Sequence, residues 1–563
     1  MSTASDDAAE KAAGSNVEDG SLSLASHHFG NETEMPKIEE GQLRRAQSIS
    51  EAVENNDDKL CNAPWFLKFI EYPFHVKDPT RDVYLPEAAG WAMDSAGRGP
   101  LNQVGSYVGQ AILRLATQDA GCLNPRTCTN TVYGLKPSSL LTATTSIVGV
   151  VAAFLMPIVG AVVDHTTHRR LLGLVSGMAA VVLAGIQISV NANNWFFILC
   201  VDGALSFSLL VHTTAVFAYL PDLSLDENVL SHYTSHFNIR QYSVQVVYLG
   251  LVIITGEVRN LPSQAIATSV QTAKDAAGIS FGVAALFIGY AWIFLFRPRP
   301  ALSKVPEGQT LLTTGFVQVH RTGKKIWKDY WALKWFMFSL LWSPEAGAGV
   351  IQSIAVTFLT VVMKFTGLDL AKAMLVLMVG NICGSLFSKW VCQKINPLNS
   401  YRCGLMSLAV SIFVSAWTLN GPERRAAVFG FTFFWGVSMG WVNPSQRVLL
   451  CTLIPKGQET EMMGLFVFTG QILGWLPPLI FTLMNENGAD IRWGFGLVTF
   501  FCGFAAICTL PMGNYYEAVA WAARQSEEKL GEVLVNAQSR SEKLHESAQS
   551  IGSQDCATEK IEK

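Results

Sequence analysis

Nine polar side chains stand within otherwise apolar stretches, and they are the residues placed to do chemistry: Asp94, Arg98, Asp202, His212, Glu345, Gln352, Asn381, Asn443 and Gln471. A carboxylate in such surroundings can hold a cationic group or a proton, and a guanidinium or amide can hold an anionic one. A charge near the centre of a membrane span costs about 2.5–3.5 kcal/mol, whereas one Leu or Val returns only about 0.3–0.6. Charges kept at that cost are expected to border a protein-lined, partly aqueous passage. Asp94 and Arg98 are four apart and share a helical face, so a plain structural pair competes with a working one. Glu345 follows the local break Trp342-Ser-Pro344 and precedes Ala-Gly-Ala-Gly349, a setting suited to binding or to carrying a proton. Asp94 and Glu345 are therefore the leading candidates for working acids, with a buried structural role as the alternative for either.

Other chemistries find little support. The histidines His165, His168, His212, His232, His236 and His320 do not pair with Cys or carboxylates at metal spacing. No phosphate-cradling glycine loop precedes a Lys-Ser or Lys-Thr, so ATP drive is not expected. No nucleophile–base pair stands out either, so neither an enzyme nor a cofactor site is expected. A net charge of −3 gives no sign of a nucleic-acid partner. The 11 cysteines lack C-x-x-C pairs. Cys122 and Cys128 share one loop and can form a disulfide if that compartment is oxidising, with two free thiols as the alternative.

The elements that must position these residues are membrane helices. Half of the 563 residues are hydrophobic and 15% are charged, with a mean hydropathy of +0.28. Apolar stretches of about 20 residues, enough for one helical crossing each, recur along the chain. They fall near 87–117, 138–163, 171–190, 195–219, 241–257, 276–297, 333–362, 370–392, 402–420, 425–446, 461–484 and 493–513. The expected fold is an all-α membrane protein of twelve transmembrane helices in two six-helix bundles, 85–297 and 332–515. The span at 87–117 is the weakest by hydropathy, with Asp94, Arg98 and Arg114, and should be enclosed by protein. Residues 221–240 read as a polar link.

Residues 298–331 form a basic linker, with Lys304, Arg321, Lys324, Lys325 and Lys328 against Glu307 and Asp329, and are expected on the cytosolic side. Within it Phe316, Val319, Ile326, Trp327 and Tyr330 recur at roughly helical spacing, which suggests an amphipathic interfacial helix; a flexible linker is the alternative. Residues 1–84 read as a disordered cytosolic tail with a membrane-proximal segment, and 516–563 as a cytosolic tail that is helical and then frayed. No cleavable leader is visible, so the first span is expected to serve as the targeting signal.

Between the second and third spans stands Gly160-Ala-Val-Val-Asp164-His-Thr-Thr-His168-Arg169-Arg170. The glycine permits a close helix approach, the acid caps a last turn, and the paired arginines mark a cytosolic turn. The pattern resembles the loop between the second and third helices of the major facilitator superfamily, where it latches neighbouring helices and lets them rock. Thr167 stands where that pattern has a further glycine, and a generic charged turn is the alternative. A second stretch contains Ser445-Gln-Arg447, Leu453-Ile-Pro455-Lys-Gly457-Gln-Glu459-Thr-Glu461-Met-Met-Gly464-Leu465 and Gly474-Trp-Leu-Pro477-Pro478. It resembles the autophagy-related vacuole effluxer family, the vacuolar amino-acid exporters of that superfamily. Glu87-Ala-Ala-Gly90-Trp91 is similar to that family's entry to its first span, and Asp94 and Arg98 nearby depart from it.

Read locally, Pro455 ends a helix, Gly457 turns the chain, and Glu459 and Glu461 cap the next helix, with Arg447 able to pair with either. A plain interhelical link and a gating latch both fit. Gly470-x-x-x-Gly474 permits close contact, and Pro477-Pro478 should break or kink the eleventh span.

The resemblance implies a secondary transporter of the vacuole membrane that works by alternating access and exports neutral amino acids to the cytosol. Its partners would be the solute, the lipid bilayer and, as a candidate coupling ion, the proton. Spans one, four, seven and ten would line the cavity. A zwitterionic amino acid needs an anionic or carbonyl partner for its ammonium and a cationic or amide partner for its carboxylate, and the nine polar residues include both kinds. A sugar, a peptide or a drug remains an alternative solute. A non-transporting receptor or scaffold on the same fold is the alternative class, although a scaffold gains nothing from intramembrane charge.

Overall fold

The computed structural model describes residues 64–80, 84–224, 227–259, 266–301, 305, 308–343, 350–454 and 459–524. The outer tail residues 1–63 and 525–563 lie outside them. Among the described residues there is no β-sheet, and the chain is built from helices. The first six are α1 (Pro86–Asp119), α2 (Leu140–His165), α3 (Arg169–Gln187), α4 (Trp195–Phe217), α5 (Glu227–Val258) and α6 (Ile266–Tyr290). A connecting helix α7 (Leu311–Asp329) leads to α8 (Trp331–Leu341), α9 (Val350–Val361), α10 (Gly367–Ile395), α11 (Pro397–Thr418) and α12 (Arg425–Leu453). The last three are α13 (Glu459–Ile472), α14 (Leu476–Glu486) and α15 (Trp493–Cys508).

Helix α1 starts on Pro86, where a missing N–H costs no hydrogen bond. Its glycines and alanines let neighbours close in. A Cβ on Gly97 would lie 2.7 Å from Ile288 Cγ1 on α6. The span too polar for lipid is thus wrapped by protein, and Asp94 and Arg98 are buried. Among the described residues seven segments are long and apolar enough to cross a membrane, from Pro137–His165 to Trp493–Met512, and α1 is not among them. Apolar side chains such as Phe154, Val182, Leu386, Phe413 and Phe500 point outward from the helices, as a lipid-facing surface requires.

Two expectations change. The supposed polar link at 221–240 is helical from Glu227 onward, because Val229, Tyr233 and Phe237 recur every fourth residue and are buried. Phe237 stacks on Trp91 of α1 with ring centroids 4.3 Å apart. Helix α6 begins at Ile266 rather than 276, since the small residues Thr268, Ser269, Thr272 and Ala273 bury without bulk. The linker holds the expected helix, α7. Ile326 and the following Tyr330 are buried while Phe316 and Trp327 are exposed, and Gly315 presses on α2, where a Cβ would lie 2.1 Å from the Pro157 carbonyl oxygen.

The helices after α7 pack differently from α1–α6. On α10 and α12 the pairs Gly380/Gly384 and Gly436/Gly440 bring two backbones together. A Cβ on any of the four would lie 2.0–2.3 Å from a carbonyl oxygen of the facing helix. The seventh and eleventh expected spans are each interrupted, between α8 and α9 and between α13 and α14. In the second case Pro477 and Pro478 sit in the first turn of α14. Glu345 falls in the first interruption, outside the described residues. In the loop between α1 and α2, Cys122 and Cys128 are joined by a disulfide with Cα atoms 5.7 Å apart.

Candidate solute-binding cavity

A cavity of about 380 Å³ lies between α1, α2 and α4 on one side and α9 and the α13–α14 connection on the other. Arg98, Asp202, Gln352 and Gln471 line it, among Gly, Ser, Thr and aliphatic side chains. Asp94 and His212 do not line it, being buried directly behind Arg98. Asn381 and Asn443 are also not among its lining residues. Asn381 is buried where α10 meets α12, its backbone carbonyl against Gly440. Asn381 therefore lies where the glycine-paired helices close together.

The charged cluster behind the cavity is fully coordinated. The Asp94 carboxylate accepts from Arg98 Nε at 2.7 Å, from Trp292 Nε1 at 2.7 Å and faces His212 Nε2 at 2.7 Å. His212 Nδ1 lies 2.9 Å from the Gly173 carbonyl oxygen, which can only accept, so Nδ1 carries a proton. Arg98 also donates to Thr213 Oγ1 and Ser95 Oγ at 3.4 and 3.3 Å. Trp292 was not expected from sequence. A π-helical turn at Ala291–Leu295 ends α6, and Trp292 packs where Gly173 leaves no side chain.

Asp202 is different. Its Oδ1 accepts from Gln187 Nε2 at 2.8 Å, and the described residues bring no cation to it. Gly105 faces it across α1: a Cβ there would lie 3.3 Å from Oδ1 and 3.7 Å from Oδ2. Gln352 reaches across from α9 to the Asn102 carbonyl oxygen at 3.2 Å and to Ser106 Oγ.

One end of the cavity is shut by hydrogen bonds between α1–α6 and the later helices. Gln110 Nε2 and Arg114 Nη2 both donate to the Phe365 carbonyl oxygen, at 2.7 and 2.8 Å. Lys136 Nζ donates to the Asn485 and Glu486 carbonyl oxygens at 2.8 and 3.0 Å. Asn485 Nδ2 donates to Ser138 Oγ and Ser139 Oγ, each at 2.7 Å. The disulfide-bearing loop adds Arg126, 3.7 Å from Asp490.

At the opposite end lies the glycine–acid–arginine loop. Arg169 is buried and donates from Nη1 to Asp222 Oδ2 at 2.7 Å, a partner the sequence did not reveal. Arg170 donates to the Ile293 carbonyl oxygen at 2.9 Å, and Asp164 accepts from Gln318 of α7 at 3.4 Å. The loop therefore ties α3 to the ends of α4 and α6 and to the connecting helix. Gly160 takes no part in a close approach, since a Cβ there would meet open space; Gly315 does so instead. Arg447 is exposed on α12. Pro455, Gly457 and the side chains of Glu459 and Glu461 lie outside the described residues.

The model of the family described as vacuole effluxer Atg22-like matches residues 86–514. The chain belongs to that family. Autophagy-related protein 22 of Kluyveromyces lactis is 26% identical over 165 residues, which are 27% of this chain and 32% of the relative. The same-named protein of Vanderwaltozyma polyspora is 22% identical over 259 residues, 40% of this chain and 49% of the relative. The matched stretches thus span about a third to a half of the length of these relatives. A mutant of the nucleoside transporter NupG has a TM-score of 0.51 at 13% identity, covering 76% of this chain and 100% of its own. The xylose transporter XylE from E. coli, in an inward-open conformation, has a TM-score of 0.52 at 12% identity, covering 75% and 96%. At that identity the likeness shows the fold alone, one shared with these two transporters. The protein is a multi-pass protein of the vacuole membrane, and its family is one of membrane transporters.

Proposed function

We propose that the protein is a secondary transporter that exports small neutral amino acids from the vacuole to the cytosol by alternating access. The observation that carries this reading is the cavity of about 380 Å³ bounded by both sets of helices and closed at one end by bonds between them. Counting α8–α9 and α13–α14 as one traverse each, the chain crosses the membrane twelve times in two bundles joined by α7. The end sealed by Arg114, Lys136 and Asn485 is then the lumenal one, where a disulfide is at home. The Gly160–Arg170 loop and α7 lie on the cytosolic side, as their excess of basic residues favours.

Alternating access needs the lumenal bonds to break while each bundle stays intact. The bonds that close this end are mostly to backbone carbonyls, and they can be exchanged for water without stranding a buried charge. The Asp94–His212–Arg98 cluster lies within one bundle and holds α1, α4 and α6 together through the cycle.

The test is a metabolite profile of purified vacuoles with and without the protein. Retained neutral amino acids in its absence support export; an unchanged amino-acid pool with another solute retained moves the substrate to that class. A profile unchanged throughout favours the scaffold.

A further inference from the structure

We infer that Asp202 is the subsite for the solute's primary ammonium group and that Arg98 is not its partner for the same molecule's carboxylate. The inference rests on the transport reading above and assigns the two ends of its cavity.

A carboxylate taken out of water is expensive to leave without a counter-charge. Asp94 meets this with three donors, two of them basic side chains. Asp202 has one neutral amide on Oδ1 and lines the cavity. Gln187 fixes the plane of the carboxylate without neutralising it. Gly105 keeps the space in front clear, since any side chain there would begin 3.3–3.7 Å from the two oxygens. Ser106 and Ser206 line the same cavity and supply neutral acceptors. A fixed carboxylate oxygen, hydroxyl acceptors and a cleared approach suit an ammonium group, which has three N–H donors to satisfy.

The spacing of the charges then limits what Arg98 can do. Asp202 sits opposite Gly105, seven residues beyond Arg98 on α1, or roughly 10 Å of helix rise. The Arg98 side chain runs the other way, to Asp94 one turn earlier, which lengthens the separation. The ammonium nitrogen and carboxylate carbon of an α-amino acid are only about 2.5 Å apart. One such molecule cannot bridge the two residues. Its carboxylate must be held by neutral donors close to Asp202, while Arg98 forms the far wall.

The full-length purified protein can be titrated with three probes: leucine, leucinamide, which lacks the carboxylate charge, and 4-methylpentanoate, which lacks the amine. Leucine and leucinamide are expected to bind and to compete, and 4-methylpentanoate is not. Asp202→Asn should weaken both binders by about tenfold or more, the loss of a charge-assisted bond. Gly105→Ala, which leaves the carboxylate in place and blocks its approach, should weaken them as well. Undiminished leucine binding by Asp202→Asn overturns the assignment, as does 4-methylpentanoate competing as well as leucinamide. If Asp202→Asn keeps its affinity and loses only the pH dependence of binding, the residue carries a proton and the ammonium subsite is again overturned. A wild-type protein that binds leucinamide but not leucine would instead sink the amino-acid reading and keep the amine subsite.

Discussion

The two sets of helices are held together by opposite means. Among α1–α6 the described contacts run through buried charge: Asp94 with Arg98 and His212, Arg169 with Asp222, and Glu87 with Arg299 just beyond α6. Among α8–α15 the tightest contact is glycine against carbonyl oxygen, at Gly380, Gly384, Gly436 and Gly440. Buried ion pairs stabilise little against an apolar replacement but are costly to break one partner at a time. Glycine contacts carry no charge and depend only on shape. The first set is therefore the chemically addressable one, and the second is set by shape.

The largest expected effect tests the shape-dependent side. Gly384→Leu should abolish the folded protein, because its Cβ alone would fall 2.0 Å from the Val437 carbonyl oxygen. Leucine at Gly282 of α6, where a Cβ meets open space, should leave folding intact. Size-exclusion profiles in detergent distinguish the two, and equal tolerance at both sites would break the contrast between the bundles.

Next comes the charge-dependent side. Asp94→Asn removes the counter-charge of Arg98 and should cost about 3–5 kcal/mol, read as a loss of thermal stability. A double change of Asp94→Asn with His212→Gln should recover part of that loss if the cluster is one unit. Simple additivity would show that it is not.

A smaller effect is expected at the lumenal seal. Arg114→Ala leaves Gln110 on the Phe365 carbonyl and should raise by about tenfold the labelling rate of a cysteine placed at Ser106, from the lumenal side. An unchanged rate would mean that the seal lies elsewhere.

The smallest concerns Asp490. Burial pushes its carboxyl up, but hydrogen bonds from Arg492 and the charge of Arg126 outweigh this and hold it below the ordinary 3.8. A carboxyl depressed in the folded state contributes stability above its unfolded value and loses it as pH falls through the folded one. Thermal stability should therefore be indifferent to Asp490→Asn in its pH slope above about pH 4 and differ only below it. A difference in slope near neutrality would contradict the sign.

Much of the fold was legible because lipid solubility is written into composition. The apolar runs, the basic linker and the broken segment at Pro477-Pro478 each follow from local chemistry. Asp94, Arg98 and His212 could be singled out because an ionisable side chain inside a span is conspicuous in any sequence. What they touch could not be. Trp292 reaches Asp94 only because a π-helical turn redirects it, and Asp222 looks like an ordinary loop acid until Arg169 is seen buried on it. The glycines at 380, 384, 436 and 440 form two G-x-x-x-G pairs that face each other, whereas the one singled out beforehand lay at 470 and 474. Gly160 shows the limit of motif reading, since its neighbourhood is empty and the close approach falls to Gly315 on another helix. The difference between Asp94 and Asp202 was only half visible, for Arg98 stands four residues from Asp94 while no charged residue stands near Asp202 in its span. Only packing decides that one is saturated and the other faces the cavity.

The central claim is tested most directly by solute counterflow in liposomes that hold the full-length protein and are loaded with unlabelled leucine. Labelled leucine added outside should accumulate transiently in vesicles with the protein, and this should be lost with Asp202→Asn. No accumulation above protein-free vesicles, with leucine or any other neutral amino acid, would contradict the account.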